Sequence, residues 1–145
     1  MKNNSTQSDF NDLQSNVALH KLVNQLLSDL LPAAVRRKSL ILNNIDKDFR
    51  IKIDEDMLAL ILWNMINGAI TSTQDECIHI DASLNGDCTT IEVKDNGSYF
   101  YSRVSDRLKF VQPVVEKLGG CISINSNTSN GTIIVFTIAN VRNAA

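Results

Sequence analysis

The sequence predicts a two-layer α/β sandwich of the α+β kind, with a mixed sheet covered on one face by three helices. Three observations point there. Apolar residues recur at helical spacing in three separate segments, and six short apolar or alternating stretches lie between turn residues. The two kinds interleave in the order α, β, β, α, β, β, α, β, β. One sheet with all its helices on one face buries these stripes with the fewest elements. At 145 residues the chain is expected to be one domain with room for a proper core.

Residues 1–16 are rich in Asn, Ser, Gln and Asp and lack an apolar core, so they read as a disordered tail, neither signal peptide nor anchor. The domain is expected over 17–140, with a short tail at 141–145. Val17, Leu19, Leu22, Val23, Leu26, Leu27, Leu30 and Leu31 mark a first helix running to about Lys38, which Pro32 is expected to bend or restart. Residues 40–45 and 49–53 read as short strands around turn-like Asn43-Asn44 and Asp46-Lys47-Asp48. A second helix follows over 54–73, its acidic opening suited to the positive end of the helix dipole. Leu58, Ile61, Leu62, Met65, Ile66 and Ala69 fall on its core face, while Leu60, Asn64, Asn67, Gly68 and Thr71 form another stripe that needs something polar opposite.

Residues 78–84 alternate as a half-buried strand, and Asn85-Gly86 signals a hairpin. The return strand passes Ile91 and Val93 to Asp95-Asn96-Gly97. A third helix carries Leu108, Val111, Val114, Val115 and Leu118, is expected to kink at Pro113, and closes at Gly119-Gly120. Strands at 121–125 and 132–139 flank a last turn at 127–131.

Bulk properties narrow the partners. A net charge of -2 gives no basic footprint for nucleic acid or an acidic membrane. The one tight basic cluster, Arg36-Arg37-Lys38, reads as a solvated helix end. The longest apolar stretch, 57–66, is far short of the roughly 20 residues that span a bilayer, so a cytoplasmic location is expected. Cys77, Cys88 and Cys121 show no CxxC pattern and fit small packed groups in a reducing compartment. His20 and His79 are too isolated for a metal cluster.

Several segments resemble one family, the histidine kinase-like ATPases (the GHKL superfamily), which includes the ATP-binding domain of sensor histidine kinases. IKIDEDMLALILWNMINGAITST resembles the family's N box with its lead-in, IEVKDNG its G1 box, and VVEKLGGCISINSNTSNGTIIVFTI its closing helix, glycine pair and final hairpin. The resemblance covers most of 17–140 and implies the same two-layer sandwich, with ATP held between the N-box helix, the end of the G1 strand and a flexible lid.

Carried over residue by residue, the resemblance is uneven. Asp95 matches the aspartate that accepts the adenine amino group, Asn64 the first N-box asparagine, and Gly97 the glycine that lets the base approach. The magnesium-binding asparagine falls on Gly68, which has no side-chain oxygen; Asn67 stands one position early, about 100° round the helix. The N-box lysine falls on Thr71, its aromatic neighbour on Ser72, and the next G1 glycine on Tyr99. The lid is a handful of residues bearing Tyr99, Phe100 and Tyr101, which are expected to plug the pocket, and Ser105 and Arg107 stand where phosphate-cradling glycines would be. Arg103 and Arg107 read as solvent-facing or as replacement phosphate contacts. The segment around His20 matches the first helix of the ATP domain, not a phosphoacceptor hairpin.

The leading expectation is a degenerate domain that docks a response regulator, a kinase, another signalling protein or another copy of itself. No catalytic residue and no cofactor is required by it. The alternative is an ATP-binding stand-alone kinase or anti-sigma-type switch using ATP and Mg through Asp95, Gly97, Asn64, Asn67 and Thr71. A third is a purine-like ligand held by Asp95 without a triphosphate. The plain reading of Asp95-Asn96-Gly97 is a structural turn.

Overall fold

A computed structural model of the chain describes residues 14–95, 101–127 and 131–140. Strand β1 (Gln14–Ala18) leads directly into helix α1 (Leu19–Arg36), followed by β2 (Leu40–Asn43), β3 (Arg50–Asp54) and helix α2 (Glu55–Ser72). Then come β4 (Cys77–Asn85), β5 (Cys88–Asp95), helix α3 (Tyr101–Lys117), β6 (Gly120–Asn127) and β7 (Gly131–Ala139).

The main sheet has the order β2-β4-β5-β7-β6, with β2 parallel to β4 and the other pairs antiparallel. It is the mixed sheet predicted, but β3 is not part of it. That strand pairs antiparallel with β1, from Gln14↔Asp54 to Ala18↔Arg50, as a separate two-stranded ribbon. β1 corrects the sequence reading, which opened the first helix at Val17 and left 14–16 in the tail. Val17 is buried opposite Ile51, whereas Ser15 and Asn16 are exposed. A strand with so little inward apolar surface leaves no alternation to detect. The expected tail residues 1–13 and 141–145 lie outside the described residues.

Helix ends follow local chemistry. Asp54 is the N-cap of α2 and not its first residue; its Oδ1 accepts from Met57 N at 3.1 Å. At the end of α1, Ser39 N donates to Ala34 O and Lys38 N to Val35 O, both at 2.9 Å. This is the paired closure usually built on glycine, formed here with Lys38 at φ 56°. Gly119, at φ 74°, closes α3 as expected. Both prolines are accommodated within continuous helices, Pro32 in α1 and Pro113 in α3. Each is exposed, and so is the residue four earlier (Ser28, Lys109), so water can reach the carbonyl that lost its donor.

The hairpin signal at 85–86 is correct, but its centre is shifted by one. Asn85 pairs with Cys88, which leaves Gly86 and Asp87 as the two-residue loop. Gly86 alone has positive φ (63°), the arrangement of a turn with glycine at its first central position.

The core lies between the sheet and the helices, with Ile78, Ile80, Ile91, Val93, Ile134 and Phe136 fully buried on the inward register. Helix α2 packs against α1 and α3 and lies over β5. It is accordingly buried on more than its expected face: Ile70 and Ser72 are buried together with Leu58, Ile61, Leu62, Met65, Ile66 and Ala69.

Candidate functional site

The last residue of β5 is a carboxylate placed on the inward face of the sheet. Asp95 follows Ile91 and Val93 at period two, and it is 1% exposed. Its cross-strand neighbours are Ile78 on β4 and Thr132 on β7. Thr132 is 2% exposed and heads its own inward row of Ile134, Phe136 and Ile138. A buried carboxylate is costly unless its surroundings satisfy it, so its retention at a strand end beside a buried hydroxyl marks a polar spot in an apolar layer.

Sequence reasoning missed Thr132. The signal was available: period-two alternation back from Phe136 turns it inward, where a polar residue among Ile and Phe is out of pattern.

Helix α2 contributes the other candidates. Positions 64, 67, 68 and 71 fall on one stripe of a continuous helix. Asn64 is buried, with Nδ2 donating to Leu60 O at 2.9 Å, and Gly68 is buried as well. Asn67 and Thr71 are half-buried. The Thr71 hydroxyl donates to Gly68 O at 3.0 Å, within its own helix. Leu60, at 39% exposure, shows the stripe opening to solvent towards the start of the helix. The Asn64 amide and the Thr71 hydroxyl are therefore bonded to α2 itself, and the stripe carries no cation.

Asp95 and the α2 stripe share the helix-covered layer of the sheet, since α2 lies over β5. Gly97, Tyr99 and Phe100 lie outside the described residues. Helix α3 starts at Tyr101, so only residues 96–100 separate it from β5. Tyr101, Arg103, Ser105 and Arg107 are thus helical, which corrects their placement in the loop or at the helix start; Arg107 is half-buried. A cleft of about 310 Å³ among the described residues is bordered by Lys21, Gln25, Arg50 and Glu55, and by none of the candidate site residues.

His20 is fixed structurally. Its Nδ1 donates to Ile45 O at 2.7 Å, while Asn43 Nδ2 donates to His20 O and to Asn24 Oδ1. Among the described residues no group of three His, Cys, Asp or Glu side chains could hold a metal, and no helix is long and apolar enough to cross a membrane.

No protein-family model and no curated protein matches the sequence. Solved structures match the fold. Full-length ShkA in complex with AMPPNP is 20% identical, with TM-score 0.77 over 91% of this chain. The Acinetobacter baumannii histidine kinase AdeS is 14% identical, with TM-score 0.77 over 89%. The catalytic domain of histidine kinase ThkA, nucleotide-free, is 17% identical, with TM-score 0.74 over 88%. The present chain spans 32% of ShkA, 68% of AdeS and 95% of the ThkA catalytic domain. Its fold is that of a histidine kinase catalytic domain.

Proposed function

We propose that this chain, which has the fold of a histidine kinase catalytic domain, is a degenerate kinase-type module that docks or regulates a signalling protein in a two-component-like system. It performs no phosphoryl transfer of its own. Its partner is a response regulator, a kinase or another copy of the chain.

The observation that carries this reading is the state of the α2 stripe. The resemblance puts the magnesium ligand at Gly68, which is buried and has no side-chain oxygen. It puts the lysine at Thr71, whose hydroxyl donates to the Gly68 carbonyl. Phosphoryl transfer rests on positioned metal and positive charge around the transferring group. A five-residue connection between Asp95 and Tyr101 also leaves little chain with which to rebuild a lid.

A second reading rests on Asp95. A buried carboxylate beside Thr132 suits recognition of a base amino group, so a purine or ATP could be held at the base end. Two assays separate the readings. With γ-labelled ATP and magnesium, the docking module releases no phosphate and labels neither itself nor an added receiver domain; turnover above the protein-free control would refute it. In thermal melts, a ligand at 100 times its Kd stabilises by about 2.7 kcal/mol, roughly 5–10 °C for a domain this size. A shift of that size with ATP, ADP or adenosine, lost in Asp95→Asn when measured against that variant's own baseline, establishes the base pocket. No shift with any of the three rejects it.

A further inference from the structure

The face of the sheet turned away from the core carries charges in an unusual arrangement. Strand register sets them in two adjacent rows. The first row runs His79 on β4, Lys94 on β5 and Ile133 on β7; the second runs Asp81, Glu92 and Val135 on the same three strands. Asp81 thus lies directly opposite Glu92, a like-charge cross-strand pair that weakens an isolated sheet. Among the described residues no ion pair engages Asp81, Glu92 or Lys94. Ile133 and Val135 are half-buried, although their β7 neighbours Ile134 and Phe136 are fully buried on the other side.

We propose that this open face is a two-fold interface between two copies of the chain. The argument is the self-complementarity of the two rows. A two-fold axis perpendicular to the strands and midway between the rows lays the first row of one copy over the second row of the other. Lys94 then faces Glu92 of the second copy, His79 faces Asp81, and Ile133 faces Val135, each contact occurring twice as the symmetry requires. Asn44 Nδ2 donates to His79 Nδ1 at 3.1 Å, which places the ring proton on Nε2, available to the facing carboxylate. The repulsion between Asp81 and Glu92 is offset by the Lys94 cation laid over Glu92 and by the His79 Nε2 N–H laid over Asp81. Two sheets packed this way stand about 10 Å apart, the ordinary spacing for face-to-face packing.

The size of the patch sets the strength. Four strands about 4.8 Å apart, with about eight residues each at 3.4 Å rise, present roughly 500 Å² per copy. That is below the roughly 800 Å² per partner of a standard stable interface, so the dimer is concentration-dependent and salt-sensitive. This inference specifies one form of the docking reading, a second copy as partner. The nucleotide and phosphoryl-transfer assays do not bear on it.

Sedimentation equilibrium of the 145-residue chain under reducing conditions tests it. The expected result is a monomer–dimer equilibrium that tightens as salt falls from about 0.5 M to about 0.05 M. Glu92→Lys and Lys94→Glu each set like charges face to face and should raise the dimer dissociation constant about tenfold or more. The double reversal E92K/K94E restores the facing pairs and should return the constant to within about threefold of the unaltered chain. A chain that stays monomeric at low salt, a dimer indifferent to the single reversals, or a double reversal as weak as the singles overturns the proposal. The salt series on the unaltered chain stands even where a variant folds poorly.

Discussion

Asp54 shows how a single side chain sets a boundary. Its carboxylate bonds Met57 N at the start of α2, satisfying a backbone donor that the helix itself leaves open. Asp54→Ala should cost about 1 kcal/mol, seen as a fall of roughly 3–4 °C in a thermal melt. Asp54→Asn, which keeps an accepting oxygen, should retain most of it. The candidate site is likewise decided residue by residue. Asp95 and Asn64 stood out in the sequence because the resemblance matches them to the G1-box aspartate and the first N-box asparagine. Their burial, and the bond from Asn64 back to Leu60, depend on neighbours that the pattern does not name. Thr132 was legible from its inward register but has too ordinary a side chain to draw notice without Asp95 beside it.

At the scale of elements, the β6–β7 hairpin depends on the absence of a side chain at Gly120. A Cβ there would lie 2.9 Å from the Thr137 carbonyl oxygen and 3.0 Å from Phe136 Cε1. The oxygen is main chain and cannot step aside. Gly120→Ala should therefore destabilise by about 1–3 kcal/mol, and amide exchange should show the opening concentrated in β6 and β7. The sequence pointed to the glycine pair as a helix stop, which is the role of Gly119 alone; the packing constraint on Gly120 comes from a strand that lies beside it only after folding. Both prolines illustrate the reverse case. A local rule predicts a bend, restart or kink, and each helix runs on through its proline, with the residue four earlier exposed to water.

For the whole molecule, the buried residues of the sheet and all three helices form one contiguous apolar cluster. Unfolding should then be a single transition, coincident by far-ultraviolet dichroism and by Trp63 fluorescence. Phe136 is fully buried at the centre of β7, and Phe136→Ala should lower the stability of the entire domain by about 3–5 kcal/mol without splitting the transition. The sequence by itself determined the three helices and the existence of the strands of the main sheet, because apolar periodicity follows burial. It also determined that Gly68 and Thr71 bring neither a metal ligand nor a cation to the α2 stripe, since residue chemistry needs no coordinates. Only the tertiary structure decided that β3 leaves the main sheet to pair with β1, that Asp95 and Thr132 are neighbours, and that acidic and basic rows lie side by side on the open face. The first two are pairings between strands distant in sequence; the third depends on the register of the β4–β5 hairpin, one residue off the turn signal, and on β7 pairing beside it.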